Sequence, residues 1–504
     1  FCTLLTLFLC FFSCSAMRLV SVALAICSFV VALVVLPQVA LAGTATVPQI
    51  EHVVVLMLEN RPFDHMLGWL NQWMGPNKVD GLTGQEFNIA NGTKYFVHDQ
   101  CPYIHPFDPL HDLKNVTYEI MGGQQWLDPA PMSGFAQIHF EDNVPEYWTV
   151  MHGFAPDLVP SISTLAENFA VFDKYYSSLP GPTYPNRMFW HSGTSHGMTA
   201  NSILDYLPGQ PQRTMMDVFN DRNISWAVYY QDVADTILFQ SMRELENLER
   251  LHPYAEFATA VASGSLPAYS WVTPQFFPTE TSPARDQHPD HDVVLGEEVI
   301  AEVYGILRNS SLWNKTVFIV TYDEHGGFYD HVSPPATNIP NPDGINGVKD
   351  HFNFTRLGMR VPMIVASPWV PRGLVVGEPE DTNTHYEHSS GYATIRRMFG
   401  IDDELTNRTA WAAPFDHIFT EASPRTDCPA SLPIPTYTPQ QREAMLEDQK
   451  RRKPNGLQRQ FFAVMEAALG RKEITQGAHI TTQLEMGKEM ARMMNELKSR
   501  VHPQ

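Results

Sequence analysis

The sequence predicts an α/β protein with a mostly parallel central sheet and helices on both faces. Short β-branched runs at 52–58, 224–230, 316–322 and 361–366 have strand character, and helical patterns lie between them. The runs are continuously apolar rather than alternating, which indicates strands covered on both faces. The chain of 504 residues is long enough to bury a large core of this kind.

The connecting segments follow from the same patterns. Residues 293–307 and 391–399 are predicted helices, and 334–347 and 378–384 are predicted loops. Residues 78–160 are rich in Gly, Pro, Asn and His and are predicted to form a long irregular insertion.

Composition and charge limit the classes of function. Hydrophobic residues make up 44% and charged residues 18% of the chain, which is typical of a globular protein. The net charge of -21 argues against a nucleic-acid binder, which normally has a basic face. It also disfavours attachment to anionic lipid by charge alone.

Residues 1–42 are almost wholly apolar and have the organisation of a leader. Met17 is the expected initiator methionine, and residues 1–16 are expected to be upstream sequence. Arg18 follows it, then an apolar stretch, and an Ala-x-Ala cleavage site lies at 40–42. This pattern predicts a cleaved signal peptide and a secreted or secretory-pathway protein. The alternative is an uncleaved anchor that keeps the protein at a membrane.

The remaining chain has features of a secretory protein. Cys101 and Cys428 follow the leader and form either one disulfide or two buried thiols. Asn-x-Ser/Thr sequons predict a glycoprotein; they lie at Asn91, Asn115, Asn223, Asn309, Asn314, Asn353 and Asn407.

The body at 43–437 is predicted to be the catalytic domain, and 438–504 a mildly basic helical tail. Met486, Met490, Met493 and Leu497 share one helical face of that tail. Either this face packs on the body, or it faces a membrane or partner. In the second case the tail would help the acidic body to approach a lipid surface.

Two predicted strands end in oxygen-bearing pairs. Glu59 and Asn60 follow the first strand, and Asp323 and Glu324 follow the third. Strands of an open α/β sheet present ligands at their carboxyl ends, so these pairs predict a site for a hard or borderline divalent metal. Each pair is followed by an aromatic-Asp-His run, which favours this over the alternative of helix caps and solvated loops.

A Pro-rich turn and a histidine pair complete the candidate site. The turn at 181–187 carries Thr183, a candidate nucleophile, and Arg187, a candidate oxyanion clamp; a purely structural turn is the alternative. His288 and His291 precede a predicted helix and are candidate metal ligands, acid–base groups or phosphate-binding groups. No G-x-S-x-G elbow, Walker loop or G-x-G-x-x-G turn occurs in a suitable strand–helix context, which disfavours esterase, NTPase and dehydrogenase functions.

Taken together, these motifs resemble the non-specific phospholipase C family, which includes bacterial phospholipases C and an acid phosphatase branch. The resemblance covers roughly 48–419 and rests on Glu-Asn-Arg-Pro-Phe-Asp-His-Met-Leu-Gly-Trp (59–69), Pro-Gly-Pro-Thr-Tyr-Pro-Asn-Arg (180–187), His-Ser-Gly-Thr-Ser-His-Gly (191–197), Thr-Tyr-Asp-Glu-His-Gly-Gly-Phe-Tyr-Asp-His-Val (321–332) and Glu-His-Ser-Ser (387–390). It implies an alkaline-phosphatase-like fold and phosphoester hydrolysis.

The resemblance also implies roles for single residues. Thr183 would be the attacking hydroxyl, His288 the proton donor and Arg187 a clamp on the phosphoryl oxygens. The metal ligands would be Glu59, Asn60, Asp323 and Glu324, and the substrate-binding residues Asn186, His291, Glu387 and His388. Pro62 and Tyr184 depart from the family pattern, and Tyr184 puts substrate preference in doubt because it follows the nucleophile.

The function expected from the sequence is phospholipase C activity. The enzyme would use a divalent metal and cleave phospholipids such as phosphatidylcholine, at a membrane surface, to diacylglycerol and a phosphorylated head group. Alternatives are a secreted acid phosphatase and a non-catalytic lipid-binding glycoprotein. The sequence indicates neither the identity of the metal nor an oligomeric state.

Overall fold

A computed structural model describes residues 50–105, 107–125 and 127–501. The predicted leader lies outside the described residues, so its cleavage remains a prediction. Within the described part of the chain, no helix has both the length and the apolar character needed to cross a membrane.

The strands confirm the predicted sheet. In chain order they are β1 His52–Leu58, β2 Phe87–Ala90, β3 Thr93–Phe96, β4 Ala170–Phe172, β5 Tyr175–Tyr176, β6 Trp226–Tyr230, β7 Leu251–Pro253, β8 Tyr269–Thr273, β9 Thr316–Tyr322, β10 Met363–Ala366, β11 Leu374–Val376 and β12 Tyr386–Glu387. Eight of them form one sheet in the order β11-β4-β10-β9-β1-β8-β6-β7. Only β10 runs antiparallel to its neighbours in this sheet.

The two central strands have the bounds that their apolar runs predict. Every residue of β1 and β9 is buried, as expected for strands covered on both faces. The strand predicted at 361–366 begins later, at Met363, because Pro362 has no N–H to donate to a sheet ladder.

The helices occupy the segments between and after the strands. They are α1 Phe63–Leu67, α2 Asn71–Met74, α3 Leu113–Met121, α4 Phe135–Glu141, α5 Pro160–Asn168, α6 Thr183–Ser192, α7 Ile203–Tyr206, α8 Met215–Asp221, α9 Leu245–Leu248, α10 Ala255–Ser263, α11 Val293–Arg308, α12 Ser389–Met398, α13 Asn407–Trp411, α14 Pro439–Arg451, α15 Gly456–Ala468 and α16 Gln483–Ser499. Both predicted helices are confirmed as α11 and α12. The predicted loops at 334–347 and 378–384 contain neither helix nor strand.

Helices cover both faces of the sheet. On one face the ring of His191 in α6 lies against Trp271 of β8, with centroids 4.4 Å apart. The aligned register of β8, β1 and β9 places Ile319 on that same face. Tyr322, three residues further along β9, points to the opposite face, where its hydroxyl donates to Gln287 beside the start of α11.

The insertion at 78–160 is more ordered than predicted. It contains the hairpin β2–β3 and helices α3 and α4, which share a core with Phe328 of the body. The hairpin turns at Asn91 and Gly92, whose φ values of 48° and 77° suit an Asn-Gly turn. The irregular composition hid this turn signal, so the prediction of an irregular segment was wrong for these elements.

The apolar face of the tail is buried. Met486, Met490, Met493 and Leu497 are all buried, and the Lys498 ammonium of the same helix donates to the Leu248 carbonyl at 2.5 Å. The helix therefore packs on the body, and the alternative of a lipid-facing Met face is wrong. An amphipathic pattern specifies a buried face without identifying what covers it.

The two cysteines that follow the leader are separate thiols. Cys101 and Cys428 are both buried and unbonded to each other. Burial raises the pKa of the Cys101 thiol to about 12, so it stays protonated at neutral pH.

Candidate active site

The oxygen-bearing pairs meet at the carboxyl edge of the sheet. β1 and β9 are paired up to Leu58 and Tyr322, so Glu59 and Asp323 leave adjacent strands at the same level. The backbone N–H of Asn60 donates to Oδ1 of Asp323 at 2.9 Å. Both pairs are fully buried.

A glycine allows the two strand ends to approach. A Cβ atom on Gly326 would lie 2.1 Å from the Asn60 carbonyl oxygen, and the φ of Gly326 is +63°. Asn60 also has a positive φ, 56°, which asparagine tolerates better than most residues. The close approach and the positive φ therefore both require a glycine at position 326, directly after the Asp-Glu-His run.

Arg187 lies at the centre of a buried group of carboxylates. Its guanidinium donates to Glu59 at 2.6 Å, to Asp235 at 2.7 Å and to Asp323 at 3.1 Å. Asp235 follows β6 in a 3-10 turn and also accepts from the Trp271 ring at 2.9 Å. The donors of Arg187 are thus engaged by the protein, which suits a residue that positions the carboxylates.

Thr183 is the first residue of α6 and lines the pocket at this edge. Its side chain is buried, and its hydroxyl has no hydrogen-bond partner among the described residues. Asn186 fixes the turn before it, because its amide donates to the Gly181 carbonyl at 2.8 Å and accepts from the Leu179 N–H at 3.1 Å. Asn186 therefore holds the nucleophile's turn and lies away from the pocket lining.

The loop between β8 and α11 supplies the histidines. His288 bonds Asp290 through Nδ1, and its Nε2 lies 3.6 Å from Asp108. His291 bonds Asp286 through Nδ1 at 2.6 Å. Burial disfavours the charged imidazole of His288, but Asp108 and Asp290 raise its pKa well above the usual range.

A polar pocket of about 220 Å³ lies at this edge, and none of the four predicted metal ligands is among its lining residues. Thr183 and His288 line it, and the insertion adds Asp108 and His111. Burial opposes a charge on His111, yet Glu324 and Asp108 raise its pKa. The pocket therefore places a hydroxyl beside two histidines that favour the charged form.

The carboxylates are poorly compensated by the protein alone. Burial raises the pKa of Glu59 well above its usual value, and repulsion from Asp323 adds to the effect. Burial also raises the pKa of Asp323 to about 6, although Arg187 opposes this. The single guanidinium of Arg187 thus faces more carboxylates than it can neutralise. This imbalance would favour binding of a further positive charge at this edge of the sheet.

Several buried polar atoms at this edge have no hydrogen-bond partner among the described residues: Glu59 Oε2, Asn60 Oδ1, Asp286 Oδ2, His291 Nε2 and Glu324 Oε1. Orphaned buried atoms are costly, and carboxylate, amide and imidazole donors suit a divalent cation. The donor chemistry suits a divalent cation, but among the described residues these ligand atoms do not come within the 4.8 Å mutual spacing that Asp64, Asp330 and His331 reach.

The predicted substrate-binding pair at 387–388 lies beneath the site. His388 contacts the Asp323 carbonyl through Nε2 at 2.7 Å and the Tyr175 hydroxyl through Nδ1 at 3.3 Å. Glu387 accepts from Ser178, and its other oxygen has no partner among the described residues. Neither residue lines the pocket, so their geometry suits support of the strand ends.

A second acidic cluster has the spacing of a metal site but its own counter-ion. Ligand atoms of Asp64, Asp330 and His331 lie within 4.8 Å of one another. Arg360 donates to Asp64 at 2.8 Å and to Asp330 at 3.0 Å, and His331 bonds Asp64 at 2.6 Å. Asp64 belongs to the first aromatic-Asp-His run, and Asp330 and His331 belong to the second. The two runs therefore meet in one ion-pair network that supports the structure.

The tail reaches the site. Asn455, the N-cap of α15, donates to Asp290 at 3.3 Å, and the first turn of α15 lines the pocket with Gly456 and Leu457. Phe461 packs between Phe276 and Tyr184, with centroids 4.7 and 5.3 Å away. The tail therefore forms one wall of the pocket and supports the loop that carries His288.

Sequence reasoning missed Asp108, His111, Asp235, Asp286 and Asp290. Asp286 and Asp290 stand in the Asp-Gln-His-Pro-Asp-His-Asp run that drew attention to His288, so acid–histidine alternation was an available signal. Asp235 follows β6 as Glu59 follows β1, but a four-residue gap separates it from the strand end. His111 had no signal beyond the polar composition of the insertion.

A buried hydroxyl at a helix N-terminus and histidines with raised pKa values lie at the carboxyl edge of a mostly parallel sheet, which is where α/β enzymes bind their ligands. A solved structure of an alkaline phosphatase superfamily protein from Vibrio parahaemolyticus aligns with a TM-score of 0.31 at 13% identity, over 52% of this chain and 65% of that one.

Relatives known by sequence are much closer. Non-specific phospholipase C6 of Arabidopsis thaliana is 42% identical over 395 residues, which cover 76% of this chain and 75% of that protein. Phospholipase C A of Mycobacterium tuberculosis is 30% identical over 72% of this chain and 75% of its own length. The phosphoesterase family model matches residues 50–402, and the chain belongs to that family.

Proposed function

We propose that this protein is a phospholipase C that cleaves the glycerol-side phosphodiester of phospholipids such as phosphatidylcholine. The observation that carries the proposal is the free hydroxyl of Thr183 in the same pocket as His288. The names of the relatives, non-specific phospholipase C and phospholipase C, support the same reaction class.

The first step is an in-line attack of Thr183 Oγ1 on phosphorus. The Oγ1–P bond forms, the bond from phosphorus to the glycerol oxygen breaks, and the hydroxyl proton passes to water. His288 protonates the departing diacylglycerol oxygen, which its raised pKa favours. Thr183 then carries the phosphorylated head group.

Water completes the reaction in the second step. The neutral His288 takes a proton from that water, the new P–O bond forms, and the bond to Thr183 breaks while the Thr183 oxygen takes back from solvent the proton it released in the first step. The products are diacylglycerol and a phosphorylated head group, and His288 and Thr183 return to their starting states.

The remaining residues hold the site. Glu59, Asn60, Asp323 and Glu324 would hold a divalent cation, and Asp286 and His291 offer further donor atoms at the same edge. The cation supplies positive charge that lowers the pKa of a hydroxyl and balances the phosphate. Arg187 positions Glu59 and Asp323, and His111 faces the phosphoryl oxygens from the insertion.

A secreted glycoprotein acting at a phospholipid surface fits these features. Six of the seven sequon asparagines are exposed and lie outside the pocket lining, whereas Asn115 lines the pocket and a glycan there would obstruct it. The signal peptide remains the basis for secretion. An acid phosphatase is the second candidate, and a non-catalytic lipid-binding glycoprotein is disfavoured by the unengaged nucleophile.

Product analysis tests the proposal. The purified chain with Mg²⁺, Ca²⁺, Mn²⁺ or Zn²⁺ is incubated with phosphatidylcholine vesicles in ¹⁸O-labelled water, and p-nitrophenyl phosphate is assayed separately. We expect diacylglycerol and phosphocholine, with the label in phosphocholine only. Phosphatidic acid and choline, or turnover of p-nitrophenyl phosphate alone, would contradict the proposal. Thr183→Ala is the inactive control.

A further inference from the structure

An open groove continues from the catalytic pocket. The groove has a volume of about 550 Å³ and shares Asp112 with the pocket wall. Ala200 and Lys114 line the groove, and their chain neighbours Asn201 and Asn115 line the pocket. The groove therefore adjoins the pocket, and a molecule too large for the pocket can reach it.

The groove has a more apolar character than the pocket. Leu113, Ala200 and Phe352 line it, and the guanidinium of Arg356 lies 5.3 Å from the centre of the Phe352 ring. Lys114 is exposed at its edge. Asp112 and Asp350 balance these two cations, so it is the apolar lining that suits a hydrocarbon group.

Two apolar side chains project beside the groove. Leu204 in α7 is 73% exposed and Val348 is 60% exposed. We call this pair the apolar rim. Neither side chain contributes to the core, in contrast to the Met face of the tail.

The segments that carry the apolar rim are latched together. Lys349 donates to Ser202 at 2.6 Å and pairs with Asp205 at 2.8 Å. Thr199, which lines the groove, donates to Asp350 at 2.5 Å. The apolar rim is thus preformed, so little ordering entropy is lost when it meets a surface.

We propose that the groove holds the glycerol and acyl region of the phospholipid, and that Leu204 and Val348 insert into the lipid surface that presents it. This inference rests on the proposed function and names the surface by which that site reaches its substrate. The chain has a net charge of -21, so it gains little from electrostatic attraction to lipid. Insertion of apolar side chains would then supply most of the free energy of membrane binding. Binding to phosphatidylcholine vesicles should then depend weakly on salt.

The test compares vesicle turnover with turnover of soluble p-nitrophenyl phosphorylcholine. Leu204→Glu with Val348→Glu should lower the ratio of the two activities about tenfold, because buried charges oppose insertion. Leu245→Glu is the matched control, since Leu245 is 56% exposed on a different helix, and its ratio should equal that of wild type. Ala200→Trp should raise the KM for long-chain phosphatidylcholine more than for the soluble ester.

Vesicle cosedimentation separates docking from chemistry. In the inactive Thr183→Ala background, the double rim variant should lose most of its binding, and the Leu245→Glu variant should keep it. An unchanged ratio and unchanged binding would overturn the inference. So would a larger loss from Ile89→Glu with Phe96→Glu, on the exposed face of the β2–β3 hairpin. A wild type that binds vesicles through the apolar rim but releases no diacylglycerol would overturn the proposed function alone.

Discussion

The backbone N–H of Asn60 donates to Oδ1 of Asp323 over 2.9 Å, joining the ends of two adjacent parallel strands. The residues are 263 positions apart in the chain. This bond holds the two oxygen-bearing pairs in one place, and the remaining groups of the site are arranged around them.

Two clusters of carboxylates lie near this edge, and removal of one charge should distinguish them. Glu59→Gln should reduce both metal content and turnover, because it neutralises an oxygen donor with an unpartnered atom. Asp64→Asn should leave metal content unchanged and lower stability by about 3 kcal/mol, because Arg360 loses a buried partner. Metal analysis and thermal unfolding measure both; equal metal loss in the two variants would contradict the assignment.

His288 should be needed most where the leaving group is a poor one. His288→Gln should lower phosphatidylcholine turnover by about 10²-fold or more, the usual contribution of general acid–base catalysis. With p-nitrophenyl phosphorylcholine, whose leaving group needs no proton, the variant should release a burst of one nitrophenol per site and then slow down. Stopped-flow absorbance records the burst, and a steady rate with no burst would exclude His288 from the second step.

The Arg360 network should make stability depend on alkaline pH. Burial disfavours charge on His331, but its bonds to Asp64 and Asp80 raise the pKa to about 10 from an ordinary value of 6.5. The folded state therefore binds this proton more tightly than the unfolded state. The contribution is complete below about pH 6.5 and is lost as the pH rises towards 10.

Denaturant unfolding between pH 6 and 10 checks this dependence. His331→Gln should remove about 1–3 kcal/mol at pH 6 and much less at pH 10, so the two curves should converge. A constant difference across this range would show that His331 stabilises the fold by packing alone. Asp330 and Arg360 also interact with His331, and both are retained in the variant.

The tail should affect chemistry and lipid turnover together. Phe461→Ala should lower the stability by about 3–5 kcal/mol through a cavity beside Tyr184 and Phe276. It should also lower turnover of vesicles and of the soluble ester by the same factor, since Tyr184 follows the nucleophile. Phe257→Ala is a matched control at the far edge of the sheet, with similar instability and unchanged turnover below its melting temperature. A loss confined to vesicles would contradict this role.

Sequence patterns specified the central sheet because buried parallel strands have continuous apolar runs. The ends of β1 and β9 were predicted to the residue, together with the polar pairs that follow them. The hairpin at 87–96 was missed, because composition alone hid its Asn-Gly turn. The sequence did not decide whether the face that carries Met486 packs on the body or faces a membrane or partner. A helical pattern predicts an apolar face but does not identify the surface that it contacts.

The site was predicted unevenly for a physical reason. Residues directly after a strand, such as Glu59 and Asp323, are placed by the sheet itself. Asp235, His111 and Asp290 are brought to the site by loops whose paths depend on tertiary contacts. Asn186 and His388 were expected to bind substrate. In the structure both side chains form hydrogen bonds to backbone carbonyls, which suits residues that support the site.

The central claim is that Thr183 carries the phosphorylated head group between the two steps. The most direct test mixes the enzyme with phosphatidylcholine, stops the reaction with acid within one turnover, and maps the peptides by mass spectrometry. We predict the mass of a phosphocholine group on the peptide that contains Thr183, its absence in Thr183→Ala, and a slower appearance in Thr183→Ser with part of the turnover retained. A phosphatidyl adduct, an adduct on another residue, or near-normal turnover by Thr183→Ala would contradict the account.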